Sequence, residues 1–337
     1  MTIDRKNILI TGGAGFIGSH LAESLVRDNN VIVVDNFITS QVENIQELLQ
    51  HPNFEFIKHD LISPLNMDNY PELNLFKVKA LGIQEIYHLA CPTSPKHFNK
   101  YPIETILANS HATKNALDIA KVYKAKILLL STAAVYGNYQ ENAPIREDFW
   151  GSVNPLGPRS SYDEGKRFAE SLMANYHSSY QMDTKIIRLF KTFGPRMRLD
   201  DGRMIPDFIV SALNNKPLQI YGDEYLSATF AFIEDVVEAL IRMMNSATPG
   251  PLNVGSDHAH RVSDIAQKII DMTDSKSAIV HLDPLPYPGE HGVPDITRAK
   301  ETLGWFPLIS IEDGLKKTID YMKAHYRLYG INTKTQK

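Results

Sequence analysis

Residues Ile8–Gly18 read ILITGGAGFIG: a β-branched run, a glycine-rich turn, and the start of an amphipathic stretch carrying Phe16, Ile17, His20, Leu21, Leu25 and Val26. Gly12, Gly15 and Gly18 fit one common glycine spacing, and Gly13, Gly15 and Gly18 fit the other. The segment predicts a strand that turns tightly into a helix. Such a turn has no Cβ in the way of a pyrophosphate, and the unpaired N–H groups and positive dipole end of the helix receive the anion.

Two carboxylates further on extend this reading. Asp35 follows Gly18 by 17 positions at the end of VIVVDNF, where a carboxylate accepts both ribose hydroxyls of a dinucleotide and repels a 2′-phosphate. NAD is therefore expected rather than NADP. Asp60 ends FIKHDL; it is placed either to meet the adenine edge or to cap a helix.

Around this unit, short apolar runs (7–11, 31–34, 54–57, 85–88, 126–130 and 185–189) alternate with helix-length segments, notably 17–27, 103–122 and 162–180. Strict alternation predicts βαβ units: an α/β fold with a doubly wound parallel sheet. After about residue 190, prolines at 195, 206, 217, 249, 251, 284, 286, 288 and 294 punctuate shorter elements, which predicts a smaller, irregular α/β lobe. Phe230–Met244 (FAFIEDVVEALIRMM) is apolar enough to return to the first sheet. The expected division is 1–190 plus about 230–256 for the dinucleotide domain and 191–229 plus about 257–326 for the substrate lobe. Residues 327–337 are the expected tail, and the part after Tyr329 (GINTKTQK) is expected to be loose.

Composition bounds the rest. The chain has 337 residues, 43% hydrophobic and 22% charged, which is globular and long enough for two lobes that each bury a core. Thirty-five Lys+Arg against 39 Asp+Glu, with no long run of one sign, argue against a nucleic-acid partner. No apolar run reaches the roughly 18 residues of a membrane span, so no membrane partner is expected. The charged N-terminus (MTIDRKN) and the single cysteine, Cys91, point to the cytoplasm.

Tyr162 and Lys166 (YDEGK) are four apart on an expected helix and so share a face. A hydride leaves a secondary alcohol only if the hydroxyl proton leaves too, and a free phenol of pKa about 10 is too weakly ionised to take it at neutral pH. A neighbouring ammonium lowers that value. Thr132, in LLLSTAAVYG, is the candidate third partner orienting the reacting oxygen.

TGGAGFIG, HLA at 88–90, Asn109, Ser131–Thr132 with VYG following, Tyr162/Lys166 and FGPR at 193–196 together resemble the extended short-chain dehydrogenase/reductase family, the NAD-dependent epimerases and dehydratases. IYHLACPTSP (86–95), FWGSVNPLGPRSSYDEGKR (149–167), DDGRMIPDFI (200–209) and PDITRAKETLGW (294–305) are most similar to its UDP-glucuronate decarboxylase branch. The resemblance implies a Rossmann domain with bound NAD. It also implies a sugar or sugar-nucleotide substrate held between the lobes, and a homodimer through the helices expected at 103–122 and 162–180. It assigns Gly12, Gly15, Phe16, Ile17, Gly18, Asp35, Asn36, Asp60, Leu61, Leu89, Ala90, Asn109, Ser131, Tyr162 and Lys166 to the cofactor. Pro92, Lys191, Arg196, Arg203 and Tyr221 are assigned to the substrate.

The departures from that branch are specific. Its glutamate before VYG is Ala134 here, and its arginine before the Phe of the returning strand is Ala228, so the two helpers of carboxylate loss and reprotonation are absent. The pyrophosphate-binding asparagine is Lys191, and the arginine two residues before PDI is Gly292. Each lost charge-assisted bond is worth roughly 1.5–3 kcal/mol. STAAVYG is instead similar to the sugar 4-epimerases, so oxidation followed by epimerisation, or release as a dehydrogenase product, is expected. Decarboxylation and a silent NAD-binding role are the alternatives. His258, His260, His281 and His291 match no zinc spacing and are expected in polar loops, so no metal is expected. Cys91 lacks a helper base and reads as a small buried residue.

Overall fold

The computed structural model describes residues 5–139, 143–200, 202–284 and 292–329, the last four by their backbone. Pro286, Pro288, His291 and the segment 330–337 lie outside the described residues.

Six strands follow the expected runs: β1 (Asn7–Thr11), β2 (Asn30–Asp35), β3 (Phe54–Lys58), β4 (Glu85–His88), β5 (Lys126–Thr132) and β6 (Thr184–Leu189). A seventh, Leu252–Val254, joins the outer side of β6. All pair in parallel, in the spatial order Leu252–Val254, β6, β5, β4, β1, β2, β3. The fold is thus a doubly wound, Rossmann-type sheet. Its strand order reverses between β1 and β4, and the crevice beyond the carboxyl ends of those strands is where such sheets bind ligands. All five residues of β1 are buried, as a strand covered on both faces requires.

The first helix is Phe16–Leu25, and the segment carrying Tyr162 and Lys166 forms one long helix, Ser160–Tyr180. The segment expected as one helix over 103–122 is interrupted: Pro102–Leu107 and Thr113–Tyr123 are α-helical, but Ala108–Ala112 widens into a π turn. There Asn109 Nδ2 donates to the Thr105 carbonyl (2.9 Å) and Thr113 Oγ1 to the Ala108 carbonyl (3.4 Å), so side chains compete with the regular ladder. These helices leave Ile103, Ile106, Val122, Phe168 and Tyr180 exposed, on the elements through which the resemblance implies pairing. Among the described residues no helix is long and apolar enough to cross a membrane.

The return to the sheet takes three steps. Ala231–Phe232 pairs with Thr192–Phe193, helix Ile233–Asn245 packs on the first helix and beneath β5 and β6, and Leu252–Val254 adds the edge strand. Asp235 on that helix accepts from the amides of Leu308 and Ile309 (both 3.1 Å), and its carbonyl accepts from Trp305 Nε1 (2.8 Å). The C-terminal segments are thereby tied to the helix that closes the sheet. Two short ribbons, Ser227–Thr229 with Ala259–Arg261 and Leu218–Tyr221 with Ile279–Leu282, complete the irregular part.

The burial pattern corrects the expectation of a separate core per lobe. One apolar cluster runs from Ile8 and Ile10 through Ile233, Val236 and Leu240 to Leu315 and Met322, while a second covers the other sheet face. Helix Ile233–Asn245 is amphipathic, and both halves of the chain bury against it.

Candidate active site

Two adjoining cavities open at the carboxyl ends of β1, β2, β4 and β5, and they share Phe16, Ile17, Leu89, Thr93, Leu130 and Arg203. The first is built on the glycine turn. Gly12 has φ +73°, and a Cβ there would lie 2.8 Å from the Ala90 backbone; a Cβ on Gly18 would lie 2.4 Å from the Gly12 carbonyl. Only glycine lets the turn approach the β4 loop and the helix approach the strand this closely.

Gly12, Gly15, Phe16, Ile17, Gly18, Asp35, Asn36, Asp60, Leu61, Leu89, Ala90 and Pro92 all line this first cavity. Asp35 accepts from the amides of Ala14 (3.1 Å) and Phe37 (2.9 Å) and from Ser40 Oγ (2.7 Å). Burial pushes its carboxyl above the ordinary carboxylate range, and these bonds oppose that shift. Asn36 Nδ2 donates to Asp60 Oδ2 (3.1 Å), and Asp60 Oδ1 accepts from the Ile62 amide (3.0 Å), so the Asp60 carboxylate both borders the cavity and caps the turn after β3.

The second cavity holds Ser131, Thr132, Tyr162, Lys166 and Lys191 together with Arg159 and an apolar wall including Phe98, Met204 and Phe230. Lys166 Nζ donates to the Leu130 carbonyl (2.9 Å), and burial lowers its pKa from the ordinary lysine value. Thr132 Oγ1 accepts from the Ala134 amide (3.2 Å). Ser131 Oγ donates to Glu170 (2.6 Å), a carboxylate already held by Arg188. Among the described residues, this lining contains no carboxylate and no imidazole.

Several assigned residues stand differently from the resemblance: Pro92, assigned to substrate, lines only the first cavity, and Ser131, assigned to the cofactor, lines only the second. Asn109 lines neither cavity; it is buried under the loop, its amide directed at the Thr105 carbonyl and at Cys91 Sγ (3.1 Å). Tyr221 also lines neither, being on an outer ribbon with its hydroxyl on Gln219 (3.2 Å). Arg196, assigned to substrate, borders the first cavity: Nη2 pairs with Glu23 (2.6 Å) and Nη1 is buried without a partner. Arg203 reaches both cavities and donates to Thr93 Oγ1 (2.6 Å).

The structure locates three of the substituted positions. Ala134 is buried against Phe98 and Tyr162. Ala228 sits on an outer ribbon outside both linings. A Cβ on Gly292 would lie 2.4 Å from Ile145 Cδ1, so the position has no room for a longer side chain without movement of Ile145.

Sequence reasoning missed Phe98, Arg159, His97 and Arg198. Arg159 could have been found by its spacing, one turn before Tyr162; Phe98 is distant in sequence and carries no motif. Burial pushes the Cys91 thiol up, away from a nucleophile's range. His258 and His281 contact Asp257 and the Gly222 carbonyl, and the described residues contain no group of three or more metal-ligating side chains.

His88 lies beneath the site between Thr11 Oγ1 (2.7 Å) and Thr113 Oγ1 (3.0 Å). Burial, then the Lys166 charge, lowers its pKa to about 3. Because the folded value is depressed, the unfolded chain takes up this proton first as pH falls through about 6.5, and stability declines from there toward pH 3. A His88→Gln variant is expected to show a shallower fall of Tm between about pH 6.5 and 4 than the parent. Thermal melts across that range test it, and parallel slopes would remove the assignment.

Comparison with known proteins places the chain among relatives of the same overall fold. The sequence profile of the family described as GDP-mannose 4,6 dehydratase matches residues 9–318. UDP-glucuronic acid decarboxylase 1 from Danio rerio is 41% identical over 319 residues, covering 94% of this chain and 73% of that protein. Among solved structures, UDP-glucose 4-epimerase from Thermotoga maritima with UDP-glucose has a TM-score of 0.84 at 26% identity, covering 95% of this chain and 99% of that one. UDP-glucuronic acid 4-epimerase from Bacillus cereus, in complex with UDP-glucuronic acid and NAD, has a TM-score of 0.81 at 29% identity, covering 95% and 100%.

Proposed function

The chain belongs to the GDP-mannose 4,6-dehydratase family of NAD-dependent epimerases and dehydratases, an enzyme family acting on sugar nucleotides, and on that premise we propose that it oxidises and re-reduces C4 of an acidic UDP-sugar, completing a 4-epimerisation. The glycine turn, Asp35 at the ribose position and the orphaned Arg196 Nη1 fit a dinucleotide in the first cavity. Arg196 is therefore reassigned from substrate to cofactor. When bound, NAD supplies the oxidant for the substrate carbon.

The chain's own residues supply proton transfer. Tyr162 removes the C4 hydroxyl proton, Lys166 favours the ionised phenol, and Thr132 orients the reacting oxygen. Lys191 and Arg203 face the cavity as cations for diphosphate or carboxylate.

The observation that carries the choice of reaction is the described lining of the second cavity, where Tyr162 and Lys166 are the groups suited to move a proton; Ala134, outside that lining in the buried cluster with Phe98 and Tyr162, offers none. Returning the 4-ketone to an alcohol from its other face needs no further acid or base. Decarboxylation is the second reading, favoured by the 41% identity to a UDP-glucuronic acid decarboxylase and by the fact that a 4-ketone itself accepts the electrons left by a departing carboxylate.

Incubation of the purified protein with UDP-glucuronic acid, followed by proton NMR, separates these readings. The 4-epimer is expected. UDP-xylose with carbon dioxide would replace epimerisation by decarboxylation, and absence of any product from UDP-glucuronic acid or UDP-glucose would overturn both.

A further inference from the structure

We propose that Phe98 is a positioning residue for Tyr162 and that Arg159 completes the device; the proposal rests on the reading of Tyr162 as the proton-transfer group. Phe98 lies on the short helix Pro95–Lys100 and is 1% exposed. Its ring stacks on that of Tyr162, with centroids 5.2 Å apart and planes 8° from parallel. The guanidinium of Arg159 stands over the same Phe98 ring, 5.4 Å from its centroid.

Arg159 and Tyr162 lie one turn apart at the start of helix Ser160–Tyr180, where the Tyr162 amide donates to the Arg159 carbonyl (3.0 Å). Two bonds to Asp163, both 3.2 Å, orient the guanidinium. One ring from a distant segment therefore engages both side chains of that turn. Ala134 packs into the same buried cluster.

A helix fixes the Cα–Cβ direction of a tyrosine but leaves its second torsion broad. A near-parallel buried ring removes that freedom and sets the plane of the phenol. Proton transfer needs the reacting atoms in a narrow geometry, and misplacement by an ångström costs about 100-fold in rate. The Phe98 helix is itself anchored, since Ser94 caps it by accepting from the His97 amide (3.3 Å). Ordinary core packing would make Phe98 important for stability alone; positioning makes it important for the folded enzyme's rate and for the environment of one tyrosine.

The test uses the full chain labelled with 3-fluorotyrosine, with the Tyr162 signal among the 15 tyrosines assigned by its loss in Tyr162→Phe. In Phe98→Leu, which roughly conserves volume, the Tyr162 signal is expected to shift or broaden more than any other, and in Phe98→Tyr to return. Arg159→Gln is expected to move the same signal. With UDP-glucuronic acid, kcat should fall about 10- to 100-fold in Phe98→Leu while KM stays within about threefold, and recover in Phe98→Tyr. An unmoved Tyr162 signal in both Phe98→Leu and Arg159→Gln would overturn the proposal, as would a moved signal with unchanged kcat. If the parent protein turns over nothing, the proposed function fails, and the fluorine signal alone still decides whether Phe98 sets the Tyr162 ring.

Discussion

Tyr162→Phe is expected to lower kcat with UDP-glucuronic acid by about 10²- to 10⁴-fold while leaving bound NAD in place. The substitution removes one oxygen and keeps the ring that stacks on Phe98, so the cavity wall and the buried Phe98–Ala134–Tyr162 cluster are preserved. What is lost is the group that takes the hydroxyl proton. Ser131 and Thr132 are the nearest alternatives on β5, and neither is acidic enough to replace a phenol beside an ammonium. In barrier terms the loss is about 3–5 kcal/mol. Product formation by NMR, with NAD content measured after gentle denaturation, checks both halves. A variant within threefold of the parent would refute the role given to Tyr162, and loss of NAD would mean that the hydroxyl serves binding instead.

Glu170→Ala is expected to be the most damaging substitution for stability among those considered, by about 3–5 kcal/mol. Glu170 and Arg188 are each 13% exposed and meet through Arg188 Nη2 (2.7 Å) and Nε (3.0 Å). Glu170 also accepts from Ser131 Oγ, and Arg188 lies over the Tyr136 ring, 4.8 Å from its centroid. Removing the carboxylate leaves a largely buried guanidinium without its counter-ion and frees Ser131 at the floor of the second cavity. A fall in Tm of roughly 4–7 °C is the expected reading for a chain of this length. Because the penalty comes from the orphaned charge, the pair Glu170→Leu with Arg188→Met should recover much of it. A single variant that melts within about 2 °C of the parent would show that water already screens the pair.

These two residues also mark what was legible. Tyr162 was readable because its partner is four positions away on one helix, and the glycine turn because its requirement is met within eleven residues. The strands were readable for the same kind of reason: in a sheet covered on both faces each strand is a continuous apolar run. The Glu170–Arg188 pair had no such signal. Its members lie on a helix and a neighbouring strand, and their spacing implies nothing until the helix is docked.

The sequence by itself determined a parallel α/β sheet, a dinucleotide turn on its first strand, and a tyrosine–lysine pair on one helix face, because each is a short-range pattern imposed by backbone geometry. Only the tertiary structure placed Arg196 at the border of the first cavity and Asn109 and Tyr221 outside both cavities, and gathered Phe98 and Arg159 around Tyr162. It also joined the two expected cores into one through helix Ile233–Asn245. Those outcomes depend on how separate segments pack, and side chains that meet from distant segments leave no period or spacing in the chain that carries them.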